Sequence, residues 1–132
     1  MRRFAAVTAL AVLVAAGLSC GKDPVGPQAG TLLVRLTTPN SGADSAIVLT
    51  IAGPAGLTSA TAGTGLRLFQ QALGGTTTRF ALTGALTANA TILTIGVADV
   101  NQVSQYSGTI QGVAQPNYQL RSLTGYSLAV TR

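Results

Sequence analysis

From Thr31 onward, apolar and polar positions alternate with a period of two, the pattern of strands with one face buried. In Thr31–Thr38, Leu32, Val34 and Leu36 share one face, while Leu33, Arg35 and Thr37 share the other. Pro39-Asn40-Ser41-Gly42 then supplies turn chemistry. Ala46–Ala52 repeats the alternation with Ile47, Leu49 and Ile51, and Gly53-Pro54-Ala55-Gly56 stops it. After a loose Thr/Ala/Gly stretch, further strands are expected over Leu66–Gln71 and, beyond Gly74-Gly75, over Thr76–Thr83 with Thr78, Phe80 and Leu82 on one face. Thr91–Val97 places Leu93, Ile95 and Val97 inward. Tyr106–Val113 carries a face of Tyr106, Gly108, Ile110 and Gly112, and Tyr126–Thr131 ends the chain with Tyr126, Leu128 and Val130 inward. Gln115–Leu123 fits either a short helix begun by Pro116 or an irregular crossover.

Seven strands separated by turn residues, with no convincing amphipathic helix, predict an all-β domain: a small antiparallel β-sandwich over residues 31–132. The strand number resembles that of immunoglobulin-like domains. Those domains carry a Cys–Cys pair and a tryptophan, and this chain has one cysteine and no tryptophan, so the resemblance is one of architecture only.

The alternation does not begin at Met1. Arg2 and Arg3 precede an uncharged run from Phe4 to Leu18, and Ser19-Cys20 closes it with the only cysteine of the chain. A basic start, a short apolar run and a small-residue end are the features of a secretory signal. The run of fifteen residues is shorter than the roughly 20 that span a bilayer as a helix. Ala16-Gly17-Leu18-Ser19-Cys20 resembles the lipobox of bacterial lipoproteins in a permissive form, with leucine at position 18 where position 17 is usual. The resemblance covers about 20 of the 132 residues. It implies that residues 1–19 are a signal peptide and that Cys20 becomes a lipidated N-terminus carrying diacylglycerol and an amide-linked acyl chain, such as palmitate. Two acyl chains supply on the order of 20 kcal/mol of membrane affinity, far more than any surface arginine. Residues 20–30 then form a Gly/Pro linker, since Pro24, Pro27 and three glycines suit neither helix nor central strand. By the same resemblance, Gly21 after the cysteine permits delivery to the outer membrane, which is therefore expected over the inner one.

Composition narrows the function. The mean hydropathy of +0.44 is inflated by the first twenty residues. Without Arg2 and Arg3, six cations face three aspartates, a net +3. The arginines Arg35, Arg67, Arg79, Arg121 and Arg132 are spread singly, whereas a nucleic-acid surface needs a basic stripe with stacking aromatics; no nucleic-acid partner is expected. Charged residues are only 8% of the chain, which leaves sheet edges weakly protected, and Arg35 and Arg79 are the natural gatekeepers.

The catalytic inventory is nearly empty. There is no histidine or glutamate, and beyond the linker only Asp44 and Asp99 carry carboxylates. A serine nucleophile would lack an imidazole base, and zinc would find one soft ligand, Cys20. No enzymatic activity, metal or cofactor is expected. Asp99-Val100-Asn101 matches the start of a calcium loop but lacks the further oxygen ligands, and it reads as a turn after the fifth strand. Gly63-Thr64-Gly65 lacks the third glycine and the lysine of a phosphate loop and reads as a flexible connection. Tyr106, Tyr118 and Tyr126 are the remaining candidate ligand contacts, because aromatic faces stack on sugars; tyrosine in a sandwich more often packs in the core or at a corner with its hydroxyl at the rim. The expected protein is a lipid-anchored envelope domain of structural or interaction type, held to the membrane through its lipid and meeting an envelope protein or a glycan. A glycan- or small-ligand-binding module built on the tyrosines is the alternative.

Overall fold

The computed structural model describes residues 26–132. The signal segment, Cys20 and most of the linker lie outside the described residues. Eight strands follow in order: β1 (Gly30–Thr37), β2 (Asp44–Ala52), β3 (Ser59–Ala62), β4 (Arg67–Ala72), β5 (Thr77–Leu86), β6 (Thr91–Val97), β7 (Ser107–Ala114) and β8 (Ser127–Thr131). A short 3₁₀ segment, Val100–Gln105, separates β6 from β7.

The strands form two antiparallel four-stranded sheets, β3-β6-β1-β8 and β4-β5-β2-β7. This is the expected all-β sandwich, with one strand more than the alternation predicts. The extra strand is β3, Ser-Ala-Thr-Ala, whose small residues carry no apolar alternation to read. The order also differs from the immunoglobulin-like one. There the first two strands are sheet neighbours, whereas here β1 and β2 lie in different sheets. Apart from the β4–β5 hairpin, each strand passes to the opposite sheet.

The predicted inward faces form the core. Leu32, Val34, Leu36, Ile47, Leu49, Ile51, Phe80, Leu82, Leu93, Ile95 and Val97 are all buried. Each buried Leu, Ile, Val or Phe side chain contributes about 1.5–3 kcal/mol relative to exposure, so these faces dominate the stability of the domain.

Three register shifts bend the simple alternation. Between Val34 and Arg35 the β1–β6 pairing slips, Leu93 and Thr91 face successive β1 residues, and Ile92 is buried beside Leu93. Between Val48 and Leu49 the β2–β7 pairing skips Gln111, so Val113 points inward in place of the expected Gly112. A third shift at the start of β2, opposite Gly84 with φ of 135°, goes with burial of Asp44 on the strand whose even positions otherwise face outward. Extra residues of this kind re-aim side chains relative to the pleat.

The two sides of the sandwich are closed differently. On one side β7 and β8 approach each other, and a Cβ at Gly108 would lie 2.9 Å from Leu128. On the other side β3 and β4 stand apart, leaving clefts of about 290 and 350 Å³. Gly63 is needed here for close approach rather than for flexibility. A Cβ at this residue would lie 2.3 Å from the Thr91 carbonyl oxygen, where β3 leaves β6. The expected gatekeepers Arg35 and Arg79 sit on β1 and β5, both interior strands, so neither guards an edge.

The antiparallel register fixes two poles. Gly30 pairs with Val97 at the pole where the described chain enters, and there Gln28 donates its N–H to Asp99 and accepts from Val100 N–H. The linker is thus already held at Gln28, three residues before the predicted start of the domain at Thr31. The far ends of β1 and β8, where Thr37 pairs with Ser127, belong to the opposite pole, with the β1–β2, β5–β6 and β7–β8 connections. Eight residues of β1 separate the poles by roughly 25 Å.

Candidate interaction loop at the distal pole

The β7–β8 connection, residues 115–126, is the longest between strands and carries two of the three tyrosines singled out from sequence. Its conformation begins with a tight turn. Tyr118 N–H donates to the Gln115 carbonyl, Gln115 N–H to the Gln119 carbonyl, both at 2.9 Å, and Gln119 N–H to the Asn117 side chain. Pro116 therefore opens a turn and not a helix. Ala114 and Leu120 form an isolated antiparallel bridge, and Arg121 N–H donates to the Val113 carbonyl at 2.8 Å.

This geometry places Tyr118 at φ of 67°, a left-handed conformation uncommon for a bulky residue and found mostly where surrounding structure imposes it. Tyr118 is 92% exposed and Leu120 77% exposed, so the loop tip shows solvent an aromatic and an aliphatic side chain together.

Beneath the tip lies the only charged side chain buried among the described residues. Asp44 Oδ1 accepts from Arg121 Nε at 2.7 Å, and Oδ2 accepts from the Tyr126 hydroxyl at 2.5 Å. Asn40 Nδ2 donates to the same Tyr126 oxygen at 2.8 Å. The Asp44 side chain is fully buried, whereas Arg121 keeps 24% of its surface exposed. Both carboxylate oxygens have a donor, which a buried charge requires. The cluster ties the β1–β2 turn (Asn40), the start of β2 (Asp44), the loop (Arg121) and the entrance to β8 (Tyr126) into one unit.

Of the three candidate tyrosines, then, only Tyr118 is presented, and Tyr106 packs in the core. Tyr106 is 5% exposed, lies at the opposite pole, and packs its ring against Gly53, where a Cβ would fall 2.2 Å from it. Its buried hydroxyl has no hydrogen-bond partner among the described residues. Tyr126 is partly buried and its hydroxyl is committed to Asp44 and Asn40. The three do not form one face: Tyr106 is buried at the opposite pole, Tyr126 turns its hydroxyl into the Asp44 cluster, and Tyr118 stands out on the loop. Cys20 lies outside the described residues.

Sequence reasoning missed Asp44 and Arg121 as partners. They stand 77 positions apart, and the one local hint was a lone carboxylate just before an apolar strand. Asp99, the other carboxylate of the domain, behaves as the expected turn residue: Oδ1 accepts from Asn101 N–H at 3.0 Å and caps the 3₁₀ segment. Neither aspartate converges on the other, since they belong to opposite poles.

No family model, no curated protein and no solved structure matches this chain.

Proposed function

We propose that this protein is a lipid-anchored, non-enzymatic domain of the bacterial cell envelope that presents the β7–β8 loop to an envelope protein, outer-membrane attachment being favoured over inner. The observation that carries the reading is polarity. The chain enters the sandwich at Gly30, and the loop with Tyr118 and Leu120 stands at the other pole, roughly 25 Å away along β1. A chain tethered through Cys20 would therefore hold this loop away from the bilayer. Exposed aromatic and aliphatic side chains on a held loop suit a protein partner, where Tyr is enriched among the residues that carry binding energy. The commitment of Asp44 to Arg121 and Tyr126, and of Asp99 to its turn, supports the non-enzymatic part.

Two experiments test this reading. Cys20→Ser is expected to release the protein from the membrane fraction or leave the precursor unprocessed; unchanged retention and processing would refute the anchor. A photoreactive residue at position 118 in the native envelope is expected to capture a defined partner that the same residue at position 109, on β7, does not. Capture is expected to fall at least several-fold when Leu120 is changed to Ser. Equal labelling from both positions would refute the loop as the contact.

A further inference from the structure

The four sheet edges of the sandwich are not equally protected. β3 has only four residues, and a short edge offers few backbone groups. β7 is interrupted by the bulge at Gln111 and is crossed by Leu128 over Gly108. β8 has five residues, and its outward positions Ser127, Ala129 and Thr131 carry no large apolar group. β4 differs on every count. It pairs with β5 without a register shift over all six residues, contains no proline or glycine, and shows no other strand pairing among the described residues. Its one charge, Arg67, stands at its first position. Phe69 is 55% exposed on its outward face, beside Gln71, Arg79 and Ala81.

We infer that β4 is a self-association edge, at which two copies of this chain pair antiparallel about a two-fold axis. Unpaired backbone N–H and C=O groups on a regular edge are satisfied in full by another strand. Among the described strands, β4 is itself the best match. A β4–β4 pairing is isologous and closes at two copies, whereas a β4–β7 pairing would propagate and meets the β7 bulge. Side-chain phase restricts the register, because residues directly opposite in an antiparallel pair lie on the same face. Centring the pair on Phe69 places the two phenylalanines opposite each other and Arg67 opposite Gln71. Like charges are thereby kept apart and the most exposed aromatic of the sheet is covered.

Sedimentation velocity of the full chain in detergent micelles across a concentration series tests the inference. The unsubstituted chain is expected to show a monomer–dimer equilibrium. Phe69→Lys and Phe69→Glu, each placing like charges in opposition across the axis, are each expected to weaken dimerisation by roughly tenfold or more. An equimolar mixture of the two is expected to regain a dimer. Because Phe69 is exposed, both variants are expected to keep the far-ultraviolet circular dichroism and melting temperature of the parent monomer. A chain that stays monomeric at every concentration, or a dimer that persists in both charged variants, would overturn the β4 pairing. Failure of the mixture to regain the dimer would overturn the register centred on Phe69.

Discussion

Replacing Arg121 with Met is expected to lower the stability of the domain by about 3 kcal/mol, the lower end of the range for breaking a buried ion pair. The lower end applies because Arg121 is itself partly exposed, while the fully buried member is Asp44. The substitution leaves that carboxylate with the Tyr126 hydroxyl as its one remaining side-chain donor. A domain of this size has a total stability of about 5–15 kcal/mol, and each kcal/mol moves the midpoint by roughly 4–8 °C. The melting temperature should therefore fall by roughly 12 °C or more. Tyr126→Phe removes a shorter arm of the same cluster and is expected to cost about 1–3 kcal/mol, since it strips Asp44 of one donor and Asn40 of its acceptor. Removing both charges at once, as Asp44→Leu with Arg121→Met, is expected to recover much of the loss of Arg121→Met alone, because no uncompensated charge is then buried. Thermal denaturation of the parent, Asp44→Leu, Arg121→Met and the double variant forms a cycle that isolates the pair. Additive losses would show that the ion pair does not act as a unit.

The same cycle separates holding the loop from holding the fold. Arg121 N–H donates to the Val113 carbonyl independently of the side chain, so the loop base keeps one backbone tie when the guanidinium is gone. Hydrogen exchange at Tyr118 and Gln119 should accelerate in Arg121→Met beyond what the global loss of stability explains, because local opening draws on contacts confined to the segment. A uniform change across the domain would instead assign the cluster to the core alone.

How far the structure could be read from sequence depended on the range of the forces involved. Seven of the eight strands follow from period-two alternation, since burial of one sheet face is written locally in residues such as Leu32, Val34 and Leu36. β3 was silent because Ser, Ala and Thr at a half-buried edge make no contrast between faces. The bulges were silent for another reason: a one-residue slip depends on the partner strand, so Ile92 and Val113 look outward until β1 and β2 are beside them. Strand order was equally out of reach, and with it the fact that Arg35 and Arg79 stand on interior strands. The distal cluster joins Asn40, Asp44, Arg121 and Tyr126 across up to 86 positions, with no spacing signal to find. Tyr118 was visible as an aromatic in a turn-rich stretch, but its exposure is a property of the folded loop. The lipobox resemblance at Cys20 is wholly local and remains a reading of residues 16–20.

Two phenylalanines eleven positions apart give the sharpest test of the packing, because the same substitution should be costly at the buried one and nearly neutral at the exposed one. Phe80 on β5 faces Leu49 and Gln70 across its two partner strands and is fully buried in the core. Phe80→Ala is expected to destabilise by about 3–5 kcal/mol, the sum of lost transfer energy and the cavity left in a region that relaxes only in part. Near the open β3–β4 side, the lost ring would also deepen the cleft of about 290 Å³ that Phe80 helps to line. Water entering there would not restore the lost dispersion contacts. Against a total of about 5–15 kcal/mol, such a loss leaves a weaker member of this range close to unfolding at growth temperature. Phe69 on β4 faces outward, and Phe69→Ala is expected to change monomer stability by about 0.5 kcal/mol or less. Its effect should appear in the concentration dependence of association instead. Denaturant unfolding of the two variants in dilute solution, where the monomer dominates, separates the cases. A loss at Phe69 comparable to that at Phe80 would mean that the outer face of β4 and β5 is already covered within a single chain, and Phe69 would then not be free to meet its counterpart in a second copy.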